Sequence, residues 1–271
     1  MFATVGPVSS GTEVDPENRY FWGENTGWCS GVSDDHGIIL FFNGEVGWLA
    51  GYAWSENVGW IKLGADGGGP YANTTAANWG INLSISGELD GYGWGENIGW
   101  INFDQTDGDA GIDTDSGNFT GYAWSENTGW LVMEGISGDL RLRTVAFDHH
   151  PMGTPKWWLD LYAVDEFHEE GDGFAAWVEY RMETDPRDAD SYLRIIEVAH
   201  PGEEEVKITF QPSSSRRYYS LVHASDLSSG DWEEVPGQVA IPGTGGNQTL
   251  TDSDYGDWSK TFYRIHVSLT P

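Results

Sequence analysis

The chain is poor in cations, thiols and long apolar runs, and each shortage narrows what it can do. Among 271 residues, 13 Lys and Arg stand against 43 Asp and Glu, a formal charge of −30. A field of that sign repels nucleic acid and anionic membrane surfaces and attracts divalent cations. Lysine occurs only at Lys62, Lys156, Lys207 and Lys260. The single cysteine, Cys29, excludes an internal disulfide and reads as a small packed core residue. No stretch approaches the length of a membrane span, so no membrane insertion is expected. Met1–Ser10 lacks the basic and apolar regions of a signal peptide.

Catalytic fingerprints are missing as well. There is no Gly-x-Ser-x-Gly nucleophile turn, phosphate loop or dinucleotide motif, and His168-Glu-Glu lacks the second histidine of a helical zinc site. Asp148-His149-His150 has no evident third ligand nearby. The chain is expected not to be an enzyme.

What is present is a repeated phrase. Gly51-Tyr-Ala-Trp-Ser-Glu-Asn-Val-Gly-Trp-Ile61 recurs as Gly91-Tyr-Gly-Trp-Gly-Glu-Asn-Ile-Gly-Trp-Ile101 and Gly121-Tyr-Ala-Trp-Ser-Glu-Asn-Thr-Gly-Trp-Leu131. A shorter copy is Tyr20-Phe-Trp-Gly-Glu-Asn-Thr-Gly-Trp28. Trp22, Trp54, Trp94 and Trp124 lie 32, 40 and 30 residues apart, a period typical of repeat architectures. Each copy predicts a β-hairpin turned by Asn and Gly. With Asn57, Val58 and Gly59 as the loop, Glu56 would face Trp60, Trp54 would face Lys62, and Tyr52 would face Gly64. Strand alternation puts Tyr52, Trp54 and Trp60 on one face, with Ala53, Ile61 and Leu63 on the other. Both faces are apolar enough to predict a hairpin inside a stack or sandwich. Glu24, Glu56, Glu96 and Glu126 occupy equivalent turns and so do not form a pair of unlike acids.

The aromatic face admits two readings. Tyr52, Trp54, Trp60, Trp94, Trp100, Trp124 and Trp130 are suited to stacking on sugar rings, with Glu and Asn bonding hydroxyls. Four near-identical copies point instead to core packing, because buried aromatics dominate core energetics. Most of these tryptophans are therefore expected to be buried.

Four regions are expected: an extended arm over 1–17, an aromatic β-repeat domain over 18–146, a helical calcium-loop-like segment over 147–194, and a β-sandwich over 195–271. The fold class is mainly β. Within the third region, Lys156-Trp-Trp-Leu-Asp-Leu-Tyr-Ala-Val164 fits an apolar helix face. Laid on a calcium loop, Glu170, Asp172, the Phe174 carbonyl and Glu179 fill four ligand places, while His168 and Ala176 fall where ligands should be. In the fourth region, five alternating segments separated by Gly, Pro, Asp and Ser clusters predict short strands.

Thr154-Pro-Lys-Trp-Trp, Asp172-Gly-Phe, Glu179-Tyr and Thr184-Asp-Pro-Arg-Asp-Ala-Asp-Ser191 resemble the thrombospondin-type-3-like or dockerin-like segments of large secreted bacterial proteins. The family form carries three alternating Asp before the Gly, of which this chain keeps Asp172. The Gly-Tyr-Ala-Trp-Ser-Glu-Asn-x-Gly-Trp repeats resemble those of uncharacterised bacterial secreted or surface proteins, and the terminal strands are similar to fibronectin-like modules. These resemblances imply an extracellular or cell-surface protein with calcium as a cofactor. Together with the apolar, extended Met1-Phe-Ala-Thr-Val-Gly-Pro-Val8, they lead to the expected function. That function is a structural protein assembling with copies of itself into a filament or surface layer. The alternative is an adhesin that binds glycans through the repeat aromatics.

Overall fold

A computed structural model describes residues 11–34, 36–104, 107–135, 140–202, 205–228, 230–253 and 261–271. The expected donor segment Met1–Val8 lies outside the described residues. The chain divides into two compact units, Met1–Ala163 and Val164–Pro271. The structure is mainly β, with antiparallel sheets and two α-helices among the described residues.

The first unit contains β1 (Thr12–Gly23), β2 (Gly27–Ser30), β3 (Ile39–Phe42), β4 (Gly47–Ala50), β5 (Tyr52–Ser55), β6 (Gly59–Lys62) and β7 (Ile81–Leu83). It continues with β8 (Leu89–Gly95), β9 (Gly99–Asn102), β10 (Gly111–Ile112), β11 (Phe119–Thr120), β12 (Tyr122–Ser125), β13 (Gly129–Val132), β14 (Leu142–Thr144) and α1 (Lys156–Tyr162). The four copies of the repeat are the hairpins β1–β2, β5–β6, β8–β9 and β12–β13. Neighbouring hairpins pair through β2–β5, β6–β8 and β9–β12. Pairing of Trp22 with Val132 and Gly23 with Leu131 then joins β13 back to β1. Eight strands thus close into an antiparallel barrel of four hairpins, and closure removes the open edges that a flat array would carry.

The hairpin register differs from expectation by two residues. Ser55 pairs with Gly59, Trp54 with Trp60, and Tyr52 with Lys62. The loop is Glu56-Asn57-Val58, and Gly59 opens the returning strand rather than closing the turn. Gly59 carries a φ of 80°, and Gly27, Gly99 and Gly129 are likewise positive. Only glycine adopts that conformation readily. It allows a three-residue loop to be followed by a bulge, which sets the two tryptophans of each copy directly across from one another.

The predicted sorting of faces holds, but the direction of the faces is opposite to the expectation of buried tryptophans. Ala53, Ile61 and Leu63 point into the barrel and are buried, while Trp54 and Trp60 are 40% and 44% exposed on its outer wall. An eight-strand barrel is only wide enough for side chains of modest size to meet at its axis. Eight indoles would not fit. The inner wall instead balances large against small. Ala53 stands beside Ile61 and Ala123 beside Leu131, whereas the first copy reverses the order with Phe21 beside Cys29. Cys29 is fully buried, as expected, and burial pushes its thiol up to about 11.

The repeat's asparagine closes a second ring. Asn25 Nδ2 donates to the Thr128 carbonyl at 3.0 Å and Asn57 to Thr26 at 3.3 Å. Asn97 donates to Val58 at 3.0 Å and Asn127 to Ile98 at 3.0 Å. Each loop is held by the amide of the next around the whole end of the barrel.

At the other end, β3, β4 and β7 extend the sheet, and the barrel core runs on into Ile38, Leu40, Leu49, Ile81, Leu83 and Leu142. Helix α1 closes this end, with Trp157 packed 5.0 Å from Phe42 and Asp160 accepting a hydrogen bond from Thr12.

The second unit holds α2 (Ala176–Met182), β15 (Arg194–Ala199), β16 (Val206–Gln211), β17 (Tyr218–Ala224), β18 (Glu233–Glu234), β19 (Ile241–Pro242), β20 (Gln248–Asp252) and β21 (Phe262–Ser268). One sheet runs β15-β16-β20; in the other, β17 pairs β18, β19 and β21. Val206, Ile208, Phe210 and Leu250 of the first sheet share a core with Tyr219 and Leu221 of the second. The expected helical segment is divided by the boundary after Ala163, with α1 in the first unit and α2 in the second.

Candidate aromatic binding site

Each hairpin presents a short ladder of rings on the outside of the barrel. Trp54 and Trp60 lie 4.8 Å apart at 61°, Trp94 and Trp100 4.8 Å at 65°, and Trp124 and Trp130 4.9 Å at 66°. A tyrosine extends each ladder edge-on: Tyr52 to Trp60, Tyr92 to Trp100, and Tyr122 to Trp130. Edge-to-face pairing keeps the rings ordered without removing them from water.

Between the third and fourth hairpins this belt deepens into a groove of about 830 Å³. One wall is Trp94 and Trp100, and the other is Trp124 with Glu126 and Asn127. Asn102 lies directly across from Trp124 in the β9–β12 register and supplies the polar floor. The loop between β6 and β7 adds Asn73, Thr75 and Trp79, and the Trp79 ring stands 5.1 Å from Trp100 at 86°. Tyr71 and Asn82 exchange backbone–amide hydrogen bonds of 2.8 and 2.9 Å that anchor this loop. Asn73, at a φ of 53°, accepts a hydrogen bond from Gly80 N at 2.9 Å. Glu126 is the single charged residue among those lining the groove. The result is a cleft of flat apolar walls interrupted by amides, hydroxyls and one carboxylate.

Of the sequence-predicted aromatics, the groove gathers Trp94, Trp100 and Trp124. Tyr52, Trp54, Trp60 and Trp130 belong to other sectors of the belt and lie outside it. Sequence reasoning missed Trp79, Asn73 and Asn102. The first two come from the insertion between repeats, where no periodicity marks them. Asn102 was legible in principle, because its position varies as Ser30, Lys62, Asn102 and Val132 among otherwise matching copies.

A second cleft of about 1000 Å³, bordered by Glu88, Asp90, Asp104, Asp109 and Asp113, is markedly acidic. Some of its carboxylates serve the fold. Asp113 accepts from Asp115 N and Ser116 N, which holds its carboxyl below the usual range, and Asp90 accepts from Asn82.

The calcium-loop carboxylates each have a protein partner in this structure. Glu170 Oε1 pairs with His168 Nε2 at 2.8 Å, and Asp172 Oδ1 accepts from Phe174 N at 2.8 Å, closing its own turn. The Glu179 side chain is buried and receives the Thr184 hydroxyl at 3.4 Å. Among the described residues no three His, Cys, Asp or Glu side chains are grouped to hold a metal. Burial raises the Glu179 carboxyl to about 7, helped by the nearby charges of Asp172 and Asp185.

Compared with protein-family models, with curated proteins and with solved structures, the chain finds no match.

Proposed function

We propose that the barrel is a non-catalytic carbohydrate-binding module of an extracellular or surface protein, and that its groove takes an uncharged glycan. The carrying observation is the exposed cleft walled by Trp94, Trp100, Trp124 and Trp79. A pyranose has one apolar face and a rim of hydroxyls, so it suits flat indoles edged by Asn73, Asn102 and Asn127. Concave sites with apolar walls and a few placed polar groups are the usual form of small-ligand sites. Glu126 as the one charge among the residues lining the groove, with no lysine or arginine beside it, disfavours an anionic polymer there. Membrane docking of the belt is disfavoured too, because exposed Glu24, Glu56, Glu96 and Glu126 crown the loop end beside the rings.

Affinity electrophoresis through gels containing neutral polysaccharides tests this reading. Retardation by at least one of them is expected, and Trp79→Ala should abolish it. Free migration through every neutral gel would overturn the proposal.

Self-assembly with copies of itself is the second reading, and β15 is the observation in its favour. Among the described residues it pairs only β16, and it exposes Ile195, Ile196 and Val198, the kind of edge that templates further strands. Sedimentation of wild type against Ile196→Lys separates the two: an oligomer lost in the variant favours assembly, and a monomer in both leaves the module alone.

A further inference from the structure

We infer that the barrel carries a second glycan site, between its second and third hairpins, that takes a carboxylate-bearing sugar such as a uronic acid through Lys62. The inference rests on the carbohydrate-binding reading above and assigns that belt a second ligand class.

The barrel's pseudo-fourfold repetition gives each inter-hairpin seam the same frame. Where the neutral groove uses Trp94 and Trp100, the seam one step earlier has Trp54 and Trp60 at the same 4.8 Å separation. Where the groove's far wall is Trp124 with Glu126 and Asn127, the earlier seam has Trp94 with Glu96 and Asn97, so that each seam carries one carboxylate and only the earlier one sets a lysine against it. The two asparagines make equivalent bonds, to the Ile98 and Val58 carbonyls, both at 3.0 Å. The place of Trp79 against Trp100 is taken by His36, whose ring lies 6.2 Å from Trp60 and 5.9 Å from Tyr52. The backbones agree as well: Tyr52 N donates to His36 O as Tyr92 N does to Gly80 O.

What changes is the floor. The residue across from the far-wall tryptophan is Asn102 in the neutral groove and Lys62 here. The Lys62 ammonium lies 5.8 Å from the Tyr52 ring centre and pairs with Asp66. Asp66 itself is 91% exposed, on a turn outside the barrel wall. An exposed carboxylate pairing with a lysine gains little net free energy, so a ligand carboxylate seated between the two indole walls can replace it. Stacking would supply the affinity and the exchanged ion pair the selectivity, because a neutral sugar would leave Lys62 with Asp66 and gain nothing from it.

Neighbouring seams on a four-hairpin barrel are turned by about 90°. A stiff chain therefore cannot lie in both, and the two sites hold separate glycans.

Calorimetric titration of the whole protein with an oligouronate and with a neutral oligosaccharide tests this, at about 0.15 M salt so that the global charge is screened beyond about 8 Å. Wild type should bind the oligouronate at one site per chain. Lys62→Met should weaken that binding at least tenfold and leave the neutral ligand unaffected. Asp66→Asn, a surface change that removes the competing carboxylate, should tighten it several-fold. Neutral binding without oligouronate binding, or oligouronate binding indifferent to both variants, would overturn the inference and leave the module reading standing. If neither ligand binds, the module reading itself fails.

Discussion

The inner and outer walls of the barrel are built from alternate positions of the same eight strands, yet they obey different rules. Inward residues pair a large side chain with a small one: Phe21 with Cys29 is exchanged for Ala53 with Ile61 and Gly93 with Ile101, and the order is reversed. Among outward residues the tryptophans are held in identity: the pair recurs in every copy, and three pairs repeat to within 0.1 Å, 4.8, 4.8 and 4.9 Å. Interiors tolerate exchange among hydrophobic residues so long as the patterning is kept. A surface needed only to cover a core would tolerate even more. Constancy on the wetter wall is what a binding surface needs and a core does not.

The comparison breaks first if the inner wall is not what holds the fold. Ile101→Ala removes a fully buried side chain where strands converge and should cost about 2–5 kcal/mol, read as a shift in the denaturation midpoint. A cost under about 1 kcal/mol would mean that the barrel interior is not the seat of stability.

The second unit offers the opposite case, a buried group that is costly. Folded Glu179 keeps its proton up to about pH 7, whereas the unfolded chain releases it near 4.5. Between those values the folded state holds the extra proton, so stability falls as pH rises through the window and levels above it. The slope is up to about 1.4 kcal/mol per pH unit. Glu179→Gln should flatten the profile. Calcium, if the segment around Glu170–Glu179 rearranges to hold it as the resemblance implies, should restore stability at pH 8; titration calorimetry of the chelated protein reads that directly.

A smaller effect sharpens the role of the loops. Asn57→Ala deletes one link of the amide ring and leaves the Thr26 carbonyl without that donor, at a cost of about 1 kcal/mol. Its reach should be local, with faster amide exchange in the neighbouring loop and unchanged glycan binding in the groove walled by Trp100.

Much of this was legible in the sequence. The hairpins, the alternation of Tyr52, Trp54 and Trp60 against Ala53 and Ile61, the packed Cys29, and the strands after residue 195 all follow from spacing and turn chemistry. The direction of the faces does not, because alternation says which residues share a side and never which side is concave. Curvature is decided by closure of β13 onto β1, a pairing between residues more than a hundred positions apart. Two apolar faces then compete for one narrow interior, and the smaller side chains win it. Trp79 was illegible for another reason: its partner Trp100 is met only because the anchored loop after Tyr71 folds across a neighbouring strand.

The central claim is that the repeated tryptophans serve binding rather than folding, and Trp100→Ala tests it when stability and glycan affinity are measured on the same sample. Loss of its three edge-to-face contacts, each worth about 0.5–1.5 kcal/mol, should leave a folded barrel, while affinity for the neutral glycan should fall at least tenfold. Failure of the variant to fold, or an unchanged affinity, would contradict the claim.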